Sequence, residues 1–395
     1  MNISKERLLE YAILLFGLFP LLPNRLKGLP VIFLFLVGLL FLHKGSLNWK
    51  WFFINSSLFL TYIISVMLIN GEGSYGQIIE TTLSGIALPI TFHLCLKRDA
   101  INDNVVKNFY KVFIISSVLF GFIVSITTFF DTTTVYYSDW YTNKARTVME
   151  NLPVIGQHPI YGSLFFALSL IFSWDLLRKG INKTKNIILS LLNLSFLLFF
   201  LSKGVVISLF IALAISFFYA ARFTKKNIAI FLSGAILFSS LFFFNRRMRE
   251  MLSFKTYEKV DVNYSNSLRI GIYTCVFEIL QDKYLLGVGL GETQAVLNNC
   301  YASKSDVLLQ KTYNSHNQFF DIWLKTGLFG MFIFIFFLLA NIIKSFRSRN
   351  RLSFSILLFF TVLLFVENII SRQTGAILFY FLITFINVKN SKFDN

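Results

Sequence analysis

Long apolar runs recur along almost the whole chain and constrain its fold more than any other feature. A helix needs about 20 mostly apolar residues to cross a bilayer, and about twelve runs come near that length. Only 14% of the residues are charged, against roughly 25% in a soluble domain. This excludes a soluble enzyme, a disordered chain and a disulfide scaffold, and predicts an all-α polytopic membrane protein. The runs are 8–24, 28–42, 51–69, 78–96, 109–130, 159–177, 186–201, 204–221, 227–244, 326–345, 353–370 and 375–388.

Lys and Arg residues between the runs predict the orientation. With a cytoplasmic N-terminus, twenty of them lie on the inside and six in the shorter outside segments, so we expect both termini in the cytoplasm. Segment 245–325 then lies outside. We expect a transmembrane bundle of about nine spans at 1–244, a loop subdomain outside the membrane at 245–325 that holds the candidate functional residues, and C-terminal spans with a short cytoplasmic tail at 326–395.

The net charge of +17 could indicate nucleic-acid binding, but the basic residues cluster at the ends of apolar runs. That placement is typical of contacts with lipid headgroups and argues against nucleic acid. Arg246, Arg247 and Arg249 follow the ninth run directly. They either reach toward headgroups or bind an anionic lipid-linked ligand, and the sequence leaves both interpretations open.

Two cysteines and two carboxylates leave similar alternatives. Cys275 and Cys300 share the outside segment, where a disulfide is permitted but not required. Glu80 and Glu367 lie within apolar runs, where ionisable groups are often functional. Glu80 could simply sit near the membrane interface, whereas we expect Glu367 to pair with Arg372 or another cation.

The end of the outside segment holds the strongest candidate catalytic residue. Ser315 followed by Gln318 is a capping-box signature, so we expect a helix whose first residue is His316. Its apolar residues at 319–324 predict that the helix lies against the membrane. A helix N-terminus disfavours imidazolium and attracts anions, so a neutral His316 suits a general base beside a phosphate. A histidine that only caps a surface helix fits the same spacing.

The string His316-Asn317, nine residues, Gly327, two residues, Gly330 resembles the signature of the O-antigen ligase and O-antigen polymerase superfamily. The similarity covers about residues 155–388, whereas the first 150 residues match only in hydropathy. Other elements resemble motifs of that family: His158-Pro159-Ile160-Tyr161, Ser202-Lys203-Gly204, the core segment from Arg269 with its glycine turn at 286–291, and Glu367 with Arg372-Gln373-Thr374-Gly375.

The resemblance implies a GT-C-like fold and transfer of glycan from undecaprenyl pyrophosphate to an acceptor hydroxyl, with inversion and without a metal or other cofactor. It makes His316 the general base and Arg269 the clamp on the diphosphate. Less certain diphosphate partners are Arg372, Lys203 and one of Arg246, Arg247 or Arg249. Lys at 203 gives a point charge where arginine would give a bidentate fork. Supporting residues are Asn317, Glu367, Gly327, Gly330 and His158.

The implied partners are a lipid-linked oligosaccharide or polysaccharide donor, an acceptor that is a growing glycan or lipid A–core, membrane lipids and, optionally, a chain-length regulator. The implied location is the bacterial cytoplasmic membrane. The signature does not separate a ligase from a polymerase, and it gives neither sugar, linkage nor oligomeric state. The alternative is a transporter or flippase of lipid-linked glycans, a class that often shows internal repeats, and none is visible here.

Overall fold

The computed structural model describes residues 4–42, 47–69, 75–97, 100–132, 140–220, 224–249, 251, 265–309 and 312–389. Within these ranges the chain is helical and contains no strand, which confirms the all-α prediction. The helices are α1 (Lys5–Gly17), α2 (Leu29–Leu39), α3 (Trp49–Leu68), α4 (Gly76–Thr82), α5 (Ser84–Pro89), α6 (Asp103–Phe130), α7 (Trp140–Asn151), α8 (Pro159–Arg178), α9 (Lys183–Phe200), α10 (Lys203–Ala220), α11 (Lys225–Phe244), α12 (Arg246–Arg249), α13 (Ser265–Lys283), α14 (Thr293–Lys304), α15 (Asp306–Leu309), α16 (Gln318–Arg347), α17 (Arg351–Leu364) and α18 (Gln373–Lys389).

Among the described residues, six helical segments are long and apolar enough to cross a membrane. They are α3, Gly76–Cys95 (which joins α4, α5 and a π-helical turn), α6, α8, α9 and α16. Shorter apolar helices occur at α10, in part of α11, at α17 and at α18. The protein is therefore a multi-pass membrane protein, while the larger number of crossings stays a prediction.

Helix α18 lies at the centre of the bundle, and its described side chains from Thr374 to Ile386 are all buried. It packs against α5 and α17, and its Phe381 ring stacks on Phe16 of α1 with 3.8 Å between ring centroids. A helix that is apolar around its whole circumference is stable only when neighbours surround it. This burial holds the segment 365–372, which leads into α18, against the helices that carry the candidate site.

Helices α13, α14 and α15 have a small hydrophobic core of their own. It contains Ile272 and Val276 of α13 and Tyr301 of α14, and Leu324 of α16 contributes to it. Cys275 and Cys300 form a disulfide between α13 and α14, which resolves the alternative that the sequence left open. A covalent link of this kind restricts the unfolded chain and so stabilises a small core.

Gly327 divides α16 into two helical parts. Its φ of 68° and ψ of −171° are non-helical, and a Cβ there would lie 2.0 Å from the carbonyl oxygen of Leu285. Just beyond the kink, the amide of Leu328 donates to the carbonyl of Tyr284 over 2.9 Å. Gly287, with φ of 75°, approaches the kink from the other side. Only glycine allows this contact, so the two motifs meet for steric reasons.

Candidate functional site

Helix α16 begins immediately after Asn317, whose side-chain oxygen accepts the amides of residues 319 and 320 over 2.9 and 3.3 Å. The predicted capping box is therefore wrong. Ser315 does not cap the helix, since its hydroxyl donates to the carbonyl of Asn317 over 3.0 Å. His316 precedes the cap and is not the first helical residue. An asparagine next to the first turn caps as well as serine does, and here it is the nearer of the two.

The predicted interfacial helix also packs differently from the expectation. Phe319, Ile322 and Leu324 are buried inside the protein. Trp323 donates its indole N–H to the carbonyl of Tyr284 over 2.9 Å. The apolar residues of this turn therefore join α16 to the main core and to the small core of α13–α15.

His316 has an unusual backbone conformation, with φ of 45° in the left-handed region. Its amide donates to the side chain of Asn314 over 3.0 Å, and its carbonyl accepts the hydroxyl of Tyr273 over 3.4 Å. The imidazole keeps 29% of its surface exposed, so a substrate can reach it. Left-handed conformations in non-glycine residues persist where surrounding contacts fix them, and they cluster at functional sites.

Glu367 joins the two strongest candidate residues. Its Oε1 lies 2.6 Å from Nη2 of Arg269, and its Oε2 lies 3.5 Å from Nδ1 of His316. The Glu367 side chain is only 10% exposed. The cation predicted to pair with this carboxylate is thus Arg269, contributed by α13, rather than Arg372. One buried carboxylate holds a candidate base and a candidate phosphate-binding group side by side.

The arrangement suits proton transfer. With its proton on Nδ1, toward Glu367, the His316 ring leaves Nε2 free to accept a proton from a hydroxyl group. The carboxylate stabilises the imidazolium that forms, as the acidic member of a catalytic triad does. Arg269 uses one of its five N–H donors on Glu367 in the described structure, so other donors stay open to an anionic group.

A comparison with known families identifies the segment around this site. Residues 188–335 match the family model described as O-antigen ligase. Over these residues the chain is similar to the O-antigen ligase family. The match runs from α9 into α16 and includes Lys203, Arg269 and His316, whereas Glu367 lies beyond it. The resemblance found from the motifs is thereby confirmed, and no curated protein matches the chain.

Residues 365–372, between α17 and α18, lie outside the segment that matches the O-antigen ligase family. They are nevertheless hydrogen-bonded to residues at the start of α16, which lies within that segment. Asn368 donates to the hydroxyl of Ser315 over 3.0 Å, and the amide of Ile370 donates to Oε1 of Gln318 over 2.9 Å. The side chains of Ser315, Gln318 and Asn368 are all buried. A buried polar group that makes no hydrogen bond is costly. These bonds fix the position of Glu367 relative to His316.

A buried ion pair that the sequence reasoning missed supports the same contact. Nζ of Lys325 lies 2.6 Å from Oδ2 of Asp321, one turn earlier on α16. The same carboxylate oxygen accepts the hydroxyl of Ser371 over 2.9 Å and the amide of Gln318 over 3.2 Å. Buried charges need such partners. The signal was an acid and a base four residues apart in an otherwise apolar segment.

The Ser202-Lys203-Gly204 element of the matched segment also approaches Glu367. A Cβ on Gly204 would lie 3.6 Å from Cγ of Glu367, so the glycine lets the start of α10 approach the carboxylate. Lys203 is the first residue of that helix. Arg146 of α7 donates to the carbonyls of residues 200 and 201 over 2.9 and 3.0 Å and thereby caps the end of α9 beside this element.

His158 caps α8, with its Nδ1 accepting the amide of residue 160 over 3.4 Å. Burial lowers the pKa of the His158 imidazole, and Glu150 opposes that shift. The positive charges of Arg372 and Arg146 lower the pKa further, whereas Glu367 raises it. His158 and Arg372 therefore share an electrostatic environment with Glu367.

The other predicted residues have different positions. Arg249 is exposed at the end of α12, and the side chains of Arg246 and Arg247 lie outside the described residues. Gly330 faces α3, since a Cβ there would lie 3.0 Å from the methyl group of Thr61. With Gly327 at the kink, both glycines of the signature shape α16, and neither needs to touch a substrate.

Lys27 also contributes to this region, although the sequence analysis counted it only among the basic residues that predict membrane orientation. Its side chain is 1% exposed, and its Nζ donates to the hydroxyl of Thr374 over 3.3 Å. The amine also lies 5.2 and 5.4 Å from the ring centroids of Phe19 and Phe165. Burial lowers the pKa of Lys27 to about 6. Lys27 thus holds the Arg372–Gly375 element through Thr374. Nothing in the sequence around Lys27 indicates this contact.

Proposed function

We propose that the protein is an integral-membrane glycosyltransferase that transfers glycan from undecaprenyl pyrophosphate to an acceptor sugar hydroxyl in surface polysaccharide biosynthesis. The observation that carries this proposal is the Glu367 carboxylate between His316 and Arg269. The match to the O-antigen ligase family supports the same reaction class. The acceptor is a growing repeat-unit chain or lipid A–core.

The reaction follows from the three side chains. Nε2 of His316 takes the proton of the acceptor hydroxyl, and that oxygen attacks the anomeric carbon of the donor sugar. The bond from this carbon to the diphosphate oxygen breaks, and its electron pair stays on the departing oxygen. Arg269 stabilises the charge that develops there. Attack opposite the leaving group inverts the anomeric carbon, and the arginine supplies the positive charge without a metal.

Further cations around the leaving group are part of the proposal. Arg372 shares the electrostatic environment of His158 and Glu367, and Lys203 begins the helix whose Gly204 approaches Glu367. We infer that both extend the contact with the lipid diphosphate. Arg246, Arg247 and Arg249 are proposed as outer contacts with the same ligand, since they follow the apolar helix α11 directly.

We further propose that the site faces the periplasm from the bacterial cytoplasmic membrane, with both termini in the cytoplasm and about twelve crossings. The disulfide between Cys275 and Cys300 supports an oxidising compartment for α13 and α14. A chain-length regulator could then reach the protein from the same side. A transporter is less well supported, because the candidate residues cluster at helix ends rather than at mid-membrane.

A complementation experiment tests this function. A gene-deletion strain receives the wild type, His316→Ala, Arg269→Ala or Glu278→Gln, and its surface polysaccharide is read on a gel with expression checked in parallel. Glu278 is a matched control, because its exposed carboxylate pairs with Lys304 away from the site. We expect the wild type and Glu278→Gln to restore normal glycan, and His316→Ala and Arg269→Ala to fail.

The pattern of loss identifies the reaction. Single-repeat glycan on the acceptor would identify a polymerase, whereas long carrier-linked glycan with a bare acceptor would identify a ligase. Normal glycan from both His316→Ala and Arg269→Ala at wild-type expression would overturn the catalytic assignment and favour a transporter.

A further inference from the structure

The end of the bundle that carries His316 also contains a cavity of about 610 Å³. It lies between α3, α4, α16 and the segment that joins α17 to α18. Its volume falls within the range of about 300–1,000 Å³ that is typical of small-molecule sites. The lining residues are Tyr62, Gln77, Ile78, Glu80, Thr81, Thr82, Lys325, Ile370, Ser371, Arg372 and Gln373.

Polar side chains are concentrated on two walls of this cavity. Gln77, Glu80 and Thr81 are spaced so that they lie on one face of α4. Arg372 and Gln373 lie on the wall formed by the start of α18. Within the described part of the chain, the side chains of Gln77, Glu80 and Arg372 make no hydrogen bond or ion pair. Unpaired polar groups that converge on one cavity are typical of a binding site.

The charges in the cavity favour an uncharged ligand. Lys325 is already paired with Asp321 over 2.6 Å, so its charge is compensated. The uncompensated groups are then the Glu80 carboxylate and the Arg372 guanidinium, of opposite sign. An anion would gain from Arg372 but be repelled by Glu80. A hydroxyl-rich neutral molecule satisfies both, because hydroxyls donate to a carboxylate and accept from a guanidinium.

The cavity is connected to the catalytic candidates through one short segment. Ser371 and Arg372 line the cavity, while Glu367 of the same segment contacts His316 and Arg269. The hydroxyl of Ser371 also donates a hydrogen bond of 2.9 Å to Asp321, and this bond fixes the cavity wall to α16. A ligand in the cavity is therefore held by the same rigid unit that holds the proposed base.

We propose that this cavity is a carbohydrate subsite, in which Gln77 and Glu80 hydrogen-bond the hydroxyls of a sugar unit of the transferred or accepting glycan. The inference rests on the proposed function and adds the group that recognises the glycan, since His316, Glu367 and Arg269 act only at the reacting bond. Arg372 lies where the sugar subsite and the diphosphate contacts meet.

Binding measured without catalysis tests the subsite. The full-length protein in lipid nanodiscs is titrated with the oligosaccharide repeat unit released by mild acid from the producing bacterium's own surface polysaccharide, and separately with inorganic pyrophosphate. We expect Glu80→Gln and Gln77→Ala to weaken oligosaccharide binding at least tenfold, a loss that one or two hydrogen bonds account for. Glu278→Gln, whose carboxylate pairs with Lys304 away from the cavity, should bind it as the wild type does.

Both substituted side chains are exposed and unpaired, so the variants should fold normally, and their apparent Tm should equal that of the wild type. Unchanged oligosaccharide binding by Glu80→Gln and Gln77→Ala would overturn the subsite. Pyrophosphate binding that tightens in Glu80→Gln, with no binding of the oligosaccharide, would overturn it too by assigning the cavity to the diphosphate.

A second measurement tells the two sources of glycan apart. During turnover on lipid-linked donor, an oligosaccharide in an acceptor subsite becomes elongated, which mass spectrometry detects. In a subsite for the donor glycan it inhibits without being elongated, and either result supports a carbohydrate site. Failure of this inference is also distinguishable from failure of the proposed function. If only the subsite is wrong, turnover still depends on His316 and is lost in His316→Ala. If the proposed function is wrong, the oligosaccharide still binds but no glycan is transferred.

Discussion

At the scale of single residues, the site depends on one carboxylate with two partners. Glu367 is almost buried, and its two oxygens are divided between Arg269 and His316. A buried carboxylate is tolerated only when its charge is compensated, and loss of one partner leaves the other poorly placed. The orientation of His316, the proposed base, and the position of Arg269 are therefore coupled through Glu367.

This coupling predicts the behaviour of Glu367→Gln. The amide keeps the shape but removes the charge, so we expect turnover to fall about 100-fold or more, within the range of a lost acid–base contribution. The double variant Glu367→Gln/His316→Ala should lose less than the product of the two single losses, because part of the effect of Glu367 acts through His316 and only its contact with Arg269 is left to lose. The measurement is initial rate on lipid-linked donor, with Glu278→Gln as the control; multiplicative losses would contradict the coupling.

His158 gives a pH-dependent prediction. Its folded pKa lies below the ordinary value because of burial, so below about pH 6.5 the unfolded chain binds more protons there than the folded one. Stability should then decrease as the pH falls through that value. His158→Asn keeps a helix-capping side chain without the titration. We expect its apparent Tm to drop less than that of the wild type between pH 7.5 and 5.5, and equal drops would refute this.

At the scale of elements, two residues determine the path of the first part of α16, one where the helix starts and one where it bends. Asn317 starts it beside His316, and Gly327 kinks it where the turn before α14 docks. The segment between them contains Asp321, which pairs with Lys325 and accepts the hydroxyl of Ser371 from the segment before α18. The geometry of the site thus depends on where this helix starts and bends.

Gly327→Ala tests the kink. The new methyl group would overlap the carbonyl of Leu285 and force a left-handed conformation on alanine. We expect a loss of about 3 kcal/mol of stability and most of the activity. Gly234→Ala is the matched control, since a Cβ there meets nothing within 4 Å. It should be neutral or stabilising by up to about 1 kcal/mol in apparent thermal unfolding. Equal effects of both substitutions would contradict the role of the kink.

The sequence predicted apolar helices, of which six in the described residues are long enough to cross a membrane, because apolar length and composition are local properties. It could not choose between Ser315 and Asn317 as the cap, since both side chains can accept an amide in the first turn. Ser315 instead bonds Asn317 and Asn368, and the second of these is a contact across the fold. Tertiary hydrogen bonds decided the start of α16, and sequence spacing does not contain them.

At the scale of the whole molecule, two cores of different size meet at the site. The main core surrounds α18, and the small core of α13–α15 presents Arg269 toward Glu367. The residue types of the site were predictable because charged and imidazole side chains are conspicuous in an apolar chain. The pairing of Arg269 with Glu367 was not predictable from the sequence, because the two residues are 98 positions apart. Several other cations were equally available as partners.

The disulfide tests the proposed orientation of the whole protein. If α13 and α14 lie in an oxidising compartment, Cys275 and Cys300 should resist maleimide in intact, unreduced cells and react only after reduction. Mass spectrometry of the digested protein should find the two peptides linked. Free thiols at both positions in cells would contradict a periplasmic location of this subdomain, whereas Cys95, buried and unpaired, serves as an internal reference after unfolding.

In the proposed mechanism, His316, held by Glu367 beside Arg269, takes the proton of the acceptor hydroxyl as the glycan leaves a lipid diphosphate. The most direct test of this mechanism is a mass-spectrometric assay in nanodiscs that measures release of undecaprenyl pyrophosphate from the lipid-linked oligosaccharide in the presence of acceptor. We predict release coupled to glycan transfer by the wild type and by Glu278→Gln, and at least a 100-fold slower release by His316→Ala. Release by His316→Ala at the wild-type rate would contradict the account.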